Sequence, residues 1–388
     1  MRRSSRHQPG TAAPSREDAA APAGLPPVGA GEVIATAAVP TDGAKVRSSH
    51  PLARYLRRRL GVSVLLLIGV TLVTFLLTNL VPSNPAVANL GQQAGSDPKV
   101  VAAFNAKYGL NRPLPVQYVI YLKNLLHGDL GTSLLTHQPV LSDLGTAIPA
   151  TMELALGAIV LSTLIGVSFG VFSAIRRGRA VDQGLRVISL IGISVPTFWL
   201  ALLSYYIFYY KLNIAPGSGR LSPTMTPPPH VTGLYTVDAL LAGQWSTFAD
   251  AAAHLMLPTL VLTAYTVGLL TRFTRSAILE VLDQDFVRAA RAKGLPSRIV
   301  LRRYVLRAAL VPILTLIGLA FGSLLSGTVL VESVFAWPGI GAYAYQAASH
   351  LDLPGIMGVG LFVGIVFLAV NFIVDLLYGV IDPRVRVS

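Results

Sequence analysis

The chain has 388 residues, of which 53% are hydrophobic and only 13% are charged, and its mean hydropathy is +0.60. Soluble domains carry about 25% charged residues, so this composition predicts a membrane protein. The net charge of +13 does not indicate nucleic-acid binding, because the basic residues collect at the ends of apolar segments. The absence of cysteine excludes disulfides, thiolate metal sites and cysteine nucleophiles.

The first 50 residues are rich in Ala, Pro, Gly and Ser and contain no continuous apolar stretch. Such a segment buries too little apolar surface to offset its ordering entropy, and it lacks the hydrophobic core of a secretory signal. We therefore predict a disordered cytoplasmic tail over residues 1–50 and a transmembrane domain over residues 51–388.

Six apolar segments are long enough to cross about 30 Å of hydrocarbon as helices. Their predicted bounds are 60–81, 148–175, 187–210, 255–271, 308–331 and 356–381. The fourth segment is the shortest, and we expect its end to extend toward Arg272 and Arg275.

Basic residues alternate between successive connections. Four connections hold 19 Lys and Arg in 63 residues, namely 51–59, 176–186, 272–307 and 382–388. The alternate regions hold six in 134 residues, namely 82–147, 211–254 and 332–355. Lys and Arg concentrate in the cytoplasmic connections of membrane proteins. We therefore predict an all-α membrane protein with six transmembrane helices and with both termini in the cytoplasm.

The outer region 82–147 contains two predicted short helices, 97–110 and 115–127. In the second helix, Val119, Leu122 and Leu126 share one face, and Gly128 follows as a stop signal. This helix is expected on the outer membrane surface or over the mouth of a pore, and a simple connector is the alternative.

The other two outer regions carry turn signals. Several prolines in the outer loop 211–254 oppose regular structure, and they are Pro216, Pro223, Pro227, Pro228 and Pro229. The run Trp337-Pro338-Gly339 predicts a tight turn that dips toward the membrane.

The sequence contains no Gly-Lys dipeptide, and therefore no phosphate-binding G-x-x-x-x-G-K-[ST] loop. It also lacks an H-E-x-x-H metal motif, and its seven histidines are scattered. We expect no catalytic, cofactor-binding or metal site on this chain, so any nucleotide-derived energy must come from another protein.

Ionisable groups inside the apolar segments are costly, at about 2.5–3.5 kcal/mol near the bilayer centre. Glu153 lies near the outer start of the second segment, whereas Asn371 and Asp375 are four residues apart on one face of the last. One interpretation is a proton or ion relay. For Asn371 and Asp375 the interpretation we favour is polar packing between helices, because a relay would need such groups on several helices.

The basic loop 272–307 contains a predicted surface helix over residues 285–294. Asp285 suits its amino-terminal end as a cap, Gly294 can adopt the left-handed conformation that ends it, and Pro296 prevents its continuation. We interpret this helix as a docking element for another protein. Its candidate docking residues are Asp285, Phe286, Arg288, Ala289, Ala290, Arg291, Lys293 and Gly294. The alternative is a loop whose arginines meet lipid phosphates.

The pattern A-A-x-x-x-G from Ala289 to Gly294 resembles the EAA motif of ATP-binding-cassette importer permeases. Longer stretches are similar to the permeases of dipeptide and oligopeptide importers, namely R-A-A-R-A-K-G-L (288–295), L-R-A-A-L-V-P (306–312), G-D-L-G-T-S (128–133), P-A-T-M-E-L-A-L (149–156), V-P-T-F-W-L (195–200), V-E-S-V-F-A-W-P-G-I-G (331–341) and D-L-L-Y-G-V-I-D-P-R-V-R (375–386). The large outer region resembles the B-type subunit. Arg288 stands where the general motif has Glu, so a Glu-based contact is not carried over.

The resemblance implies a type I importer permease fold in a bacterial plasma membrane. It implies a second, C-type permease as partner (a distinct chain or a second copy), two ATPase subunits that bind ATP and Mg²⁺, and an extracytoplasmic peptide-binding lipoprotein. Residues 272–307 would then be the cytoplasmic coupling loop. The alternatives are an importer of the same class for nickel, glutathione or haem, and a secondary transporter driven by an ion gradient.

Overall fold

The computed structural model describes residues 51–80 and 97–381, so the predicted tail at residues 1–50 lies outside the described residues. The described residues form helices joined by loops, which confirms the all-helical prediction. The helices are α1 Pro51–Leu80, α2 Pro98–Tyr108, α3 Leu114–Leu126, α4 Val140–Ile175, α5 Ala180–Ser194, α6 Thr197–Ser204, α7 Tyr235–Leu241, α8 Trp245–Leu282, α9 Asp285–Ala292, α10 Ser297–Ile299, α11 Leu306–Gly327, α12 Val329–Val334, α13 Ile340–Ser349 and α14 Leu353–Ile381. π-helical turns follow α6 (Tyr205–Lys211) and α10 (Val300–Val305).

Four helical stretches in the described part of the chain are long and apolar enough to cross a membrane. They are Val140–Ile175, Trp245–Leu282, Ser297–Ser326 and Leu353–Leu377. The pair formed by α5 and α6 with its π-helical turn would be a fifth, and α1 contains a shorter apolar stretch, Gly61–Leu77. The total of six spans therefore stays a prediction.

The third predicted span, 187–210, is wrong as one straight helix. The chain bends by 93° between Ala180–Ser194 and Thr197–Lys211. Val195 is extended (φ −80°, ψ 122°), as residues before proline usually are, and Pro196 lacks the amide that would continue the helix.

The fourth span is longer than predicted at both ends, because α8 runs over Trp245–Leu282. The predicted outer loop 211–254 and coupling loop 272–307 are therefore partly helical. Polar residues interrupt the apolar pattern in the first part of this helix, before residue 255. Asp250 is satisfied by Ser222, whose backbone amide and hydroxyl both donate to it at 2.7 Å. At the other end, Arg275 is paired with a buried carboxylate and so does not terminate the helix.

The fifth span ends earlier than its predicted limit of residue 331. Helix α11 stops at Gly327, and the short helix α12 begins at Val329. The side chain of Thr328 donates a hydrogen bond of 2.6 Å to Glu332, and this contact fixes the break.

Both predicted outer helices are present as α2 and α3, and Gly128 has a positive φ of 77° as its role of stop signal requires. In α3, Val119 and Leu126 are 63% and 87% exposed, so most of the predicted apolar face is not covered by the described residues. Tyr118 instead contacts α1, and its hydroxyl lies 3.2 Å from the carbonyl oxygen of Ile68. The position of α3 relative to a membrane or pore stays a prediction.

Helices α4 and α8 form the centre of the packing, and small residues bring their backbones close together. A Cβ atom at Gly166 would lie 2.8 Å from the Leu270 Cβ, and one at Gly170 would lie 2.5 Å from the Thr274 Cβ. This small-xxx-small spacing is typical of membrane helix pairs. Residues 166–170 also match the G-x-S-x-G pattern of a nucleophile elbow. They lie inside a continuous helix, however, and so do not form the strand-to-helix turn that such an elbow needs.

Candidate coupling surface

Helix α9 covers Asp285–Ala292 and contains most of the residues predicted to dock another protein. The predicted cap is wrong in detail, because Gln284 occupies the N-cap position and makes no side-chain capping bond. Asp285 lies in the first turn, where its negative charge still suits the helix dipole. Its carboxylate accepts a hydrogen bond of 3.2 Å from Arg288, and both side chains are largely exposed. Such a surface pair contributes at most about 1 kcal/mol, so Arg288 can exchange it for a partner's carboxylate.

The carboxyl-terminal end of α9 is built as the sequence predicts. Gly294 has a positive φ of 75°, and its amide donates to the carbonyl of Arg291 at 2.9 Å. The amide of Leu295 returns to the carbonyl of Ala290 at 3.3 Å, and Pro296 then starts the next helix. The helix is thus held to its eight residues by a glycine-directed turn.

One face of α9 is buried against the rest of the chain. Val287 and Ala290 are buried in a cluster to which α4, α8 and the α10–α11 segment contribute. The cluster's other buried members are Ala174, Ile278, Val300, Val305, Ala309 and Ile313. We call this cluster the socket. Ala290 therefore seats α9 in its own chain and is unavailable to a partner.

The opposite face of α9 is open. Phe286 is 46% exposed, an unusual position for a large aromatic side chain, and four neighbours are exposed with it. These neighbours are Arg288, Ala289, Arg291 and Lys293. An exposed aromatic among cationic side chains suits a protein partner, because Phe and Arg are enriched at interface cores, but it also suits a membrane surface, so the docking role stays a prediction.

A buried ion pair that the sequence analysis missed lies beside the socket. The carboxylate of Asp182, at the start of α5, accepts two hydrogen bonds from Arg275 of α8, at 2.8 and 2.9 Å. It also accepts from the Ser173 hydroxyl at 2.5 Å and from the Gly178 amide at 2.9 Å. We call these four residues the clamp. Asp182 and Arg275 are 93 residues apart, so their pairing has no local sequence signal.

At the other end of α4, Glu153 belongs to a second buried ion pair. Arg220 donates to it at 2.7 Å and also to the carbonyl of Gly233 at 2.8 Å, and its guanidinium lies 3.6 Å from the centre of the Tyr235 ring. The amide and hydroxyl of Thr236 donate to the other oxygen of Glu153 at 2.7 and 2.6 Å. The sequence alone assigned no partner to Glu153, and the structure pairs it with Arg220 in a loop. We call this arrangement the outer latch.

Asp238 orders the same outer segment from within. It accepts hydrogen bonds from the amides of Val231, Thr232 and Gly233 and from the Thr232 hydroxyl. Burial is the largest single influence and by itself raises the pKa of Asp238, but the hydrogen bonds from Thr232, Gly233 and Val231 together outweigh it. The pKa of this carboxyl is therefore below its usual value.

The predicted turn at Trp337-Pro338-Gly339 lies in the core of the helical bundle. Trp337 is 1% exposed, and its ring nitrogen donates to the carbonyl of Ala150 in α4 at 2.8 Å. Glu332, fully buried, accepts from Thr151 at 2.7 Å and from the Ala342 amide at 2.9 Å. The Glu332 carboxyl thereby joins α12 to α4 and to the first turn of α13.

Asn371 and Asp375 are placed differently on α14. Asp375 is partly buried, whereas Asn371 is exposed at the surface of the chain. Polar packing by Asn371 would therefore need a partner outside the described residues and stays a prediction. Among residues 51–80 and 97–381, no three His, Asp or Glu side chains are grouped as metal ligands would be.

Two family models for transport-system membrane components match the chain. A family model described as binding-protein-dependent transport system inner membrane component matches residues 166–387, and a model for the N-terminal part of such membrane components matches residues 52–155.

The chain aligns with nearly the whole length of several curated relatives. A probable D,D-dipeptide transport system permease protein, DdpB of Escherichia coli K12, is 45% identical over 85% of this chain and 96% of the relative. The dipeptide transport system permease proteins DppB of Alkalihalophilus pseudofirmus and of E. coli K12 are 41% and 36% identical, over 86% of this chain and 99% of each relative. Among solved structures, a chain of the MetNI methionine ABC transporter in inward-facing conformations matches with a TM-score of 0.45 and 15% identity, covering 62% of this chain and 97% of that one. On the family model and these relatives, the chain belongs to the family of binding-protein-dependent transport system inner membrane components.

Proposed function

We propose that the chain is a permease subunit of an ATP-driven importer of dipeptides or oligopeptides. The substrate class is supported by the names of the relatives above, all of which are dipeptide permeases. Their near full-length coverage supports a permease of the B type. Import of nickel, glutathione or haem by the same machinery is the alternative, and a transporter driven by an ion gradient is less favoured.

We further propose six spans in a bacterial plasma membrane, with both termini in the cytoplasm. Alternating basic connections support this topology. The four long apolar helices, the bent pair counted as one span and the apolar part of α1 are consistent with six spans. In this orientation α9 and the socket face the cytoplasm, and the outer latch faces the opposite side.

The proposed partners are a second, C-type permease, two ATPase subunits and an extracytoplasmic peptide-binding lipoprotein. ATP and Mg²⁺ would be bound by the ATPases, since this chain lacks a phosphate-binding loop. The chain is not proposed to be an enzyme by itself or to bind nucleic acid.

The coupling role rests on one observation, the division of α9 into a buried and an exposed face. An ATPase that grips the exposed face can move the helix, and the packed socket passes that displacement to α4, α8 and α11 because close-packed side chains yield little. ATP binding would thereby shift the permease between inward-open and outward-open states. The ATPases supply the free energy, and α9 transmits the difference between the two states.

Charge reversal on α9 tests this role. Arg288→Glu combined with Arg291→Glu should lower ATP-driven uptake of radiolabelled dialanine by proteoliposomes about tenfold or more, because each reversal exchanges roughly 1 kcal/mol of attraction for repulsion. The matched control is Arg298→Glu, an exposed arginine of α10 outside α9. Gly294→Trp should also uncouple ATP hydrolysis from uptake while membrane insertion stays intact.

Normal uptake by the Arg288/Arg291 variant would exclude the coupling role. Uptake that continues without the ATPases and stops when the proton gradient is dissipated would instead favour a secondary transporter.

A further inference from the structure

We propose that Asp182 and Arg275 are positioning residues that transmit the movement of α9 to the bent helix pair α5–α6. The inference deepens the coupling role proposed above and rests on it. Helix α5 contributes no buried residue to the socket, whose buried residues come from α4, α8, α9 and the α10–α11 segment. A second connection is therefore needed for α5 to move with α4 and α8.

A single carboxylate ties three parts of the fold together. Asp182 is 1% exposed and accepts from Ser173 at the end of α4, from Gly178 in the following turn and from Arg275 on α8. Both of its oxygens bond the guanidinium, so the pair is bidentate. Bidentate Arg–carboxylate pairs restrict orientation as well as distance, and α5 therefore cannot rotate at this point without breaking hydrogen bonds.

The clamp and the socket are built on the same stretches of helix. Ser173 is adjacent to Ala174, a buried member of the socket. Arg275 lies three residues before Ile278, another buried member, and so on the same side of α8. A displacement of the socket therefore moves the Ser173 and Arg275 side chains, and through them Asp182.

Further along, α5 and α8 touch through glycines. A Cβ atom at Gly192 would lie 2.7 Å from the carbonyl oxygen of Ala264, and one at Gly268 would lie 2.6 Å from that of Ser189. Apart from the Ile193 side chain, which lies 3.0 Å from the Gly268 position, these contacts are between backbones, and packed helices of this kind can shift by small shear motions. The clamp is then the point that fixes the position of α5 along α8.

Helix α5 leads directly into the 93° bend at Val195-Pro196. A shift or rotation of α5 at its clamped end is therefore carried to α6 on the far side of the bend. We infer that the clamp makes α5 and α6 move when α9 is displaced. Without the clamp, α5 would move less than α4 and α8.

The test must separate transmission from stability. Removing one partner of a buried ion pair strands a charge and is destabilising, whereas removing both is often nearly neutral. We therefore choose the double variant Asp182→Asn with Arg275→Met, in which the amide oxygen can accept from the Gly178 amide and the Ser173 hydroxyl can turn to accept from the amide nitrogen. The matched control is Arg272→Met, an exposed arginine three residues earlier on α8.

Each variant is studied in the complete importer, reconstituted with its second permease, ATPases and binding protein. Uptake of radiolabelled dialanine, ATP hydrolysis and the melting temperature are measured together. A spin-label distance gives a readout that does not depend on the transported peptide. Labels on Val187→Cys in α5 and Ser276→Cys in α8 are both exposed, and the natural chain has no cysteine.

We expect the double variant to keep its melting temperature and its ATP hydrolysis while uptake per ATP falls about tenfold. The ATP-dependent change in the α5–α8 distance should differ from the parent's. The Arg272→Met control should match the parent in every measurement.

Uptake per ATP within twofold of the parent, with an unchanged distance response, would overturn the inference. So would a lower melting temperature accompanied by normal uptake per ATP in the complexes that remain, because the pair would then be merely structural. If the parent itself hydrolyses ATP without taking up dialanine, the proposed peptide substrate fails, and the distance response still decides the role of the clamp.

Discussion

The outer latch offers a prediction whose size can be worked out from the structure. Arg220→Met removes the cation that pairs with Glu153 and leaves a side chain of similar length in its place. Both residues of the pair are buried, so the remaining carboxylate stays in a site with low access to water. Loss of one partner of a buried ion pair costs about 3–5 kcal/mol.

The lower end of that range applies here, because Glu153 keeps two hydrogen bonds from Thr236. The expected cost of about 3 kcal/mol acts on the attachment of α7 to α4, since Thr236 is the second residue of α7 and Arg220 lies in the segment before it. A change of this size raises the population of the locally open state about 100-fold.

Thiol labelling measures this opening. Ala239→Cys places a reporter at a fully buried position of α7 in a chain that has no other cysteine. Its labelling rate under native conditions should rise about 100-fold when Arg220→Met is added. Any disturbance from the reporter is common to all variants and cancels in the ratio. Lys211→Met removes an exposed cation nearby and should leave the rate unchanged.

A double variant tests whether the stranded charge of Glu153 causes the opening. Glu153→Gln added to Arg220→Met removes the stranded charge, so most of the protection of the reporter should return. A labelling rate in Arg220→Met within threefold of the parent would refute the reasoning, because the outer segment would then be held by contacts other than this ion pair.

Three further changes have defined outcomes. Gly170→Ala places a Cβ 2.5 Å from that of Thr274 and should lower the free energy of unfolding by about 1–3 kcal/mol, seen as a melting temperature several degrees lower. The control Gly145→Ala in the same helix meets open space and should be neutral or slightly stabilising. Gly294→Ala should cost about 1–2 kcal/mol because of its positive φ and not because of crowding, so Gly294→Asn should be milder in the same measurement. The lowered pKa of Asp238 stabilises the fold above the unfolded pKa of about 3.9, and this contribution is lost as the pH falls toward the folded pKa. Asp238→Asn should therefore melt lower than the parent at pH 7 and lose less stability below pH 4; equal slopes for the two proteins would contradict the assignment.

Local signals predicted much of the fold. The outer helices α2 and α3 and the turn at Gly294 each depend on residues within one or two helical turns, and the structure contains all three. The bend at Pro196 was also legible locally, since proline removes a helical hydrogen bond. It was missed because a long apolar run was interpreted as one straight span.

Side-chain partners could not be found in the same way. Glu153 stood out as a charge in an apolar segment, but its partner Arg220 is 67 residues away in a loop without periodicity. Asp182 and Arg275 each look like ordinary charges near the end of an apolar segment, because their pairing depends on how α5 packs against α8. The extent of α8 was misjudged for a related reason, since Asp250 is polar by sequence yet satisfied by Ser222 in the fold.

Composition, hydropathy and local turn signals were thus sufficient to predict an all-helical membrane chain and a short helix that starts at Asp285, because these properties are set by residues close together in the chain. Tertiary packing alone decided which face of α9 is seated in the socket and which is open to a partner. It alone brought Glu153 to Arg220 and Asp182 to Arg275. Buried charges must find partners wherever the packing of helices brings them together, and that meeting is a property of the whole fold.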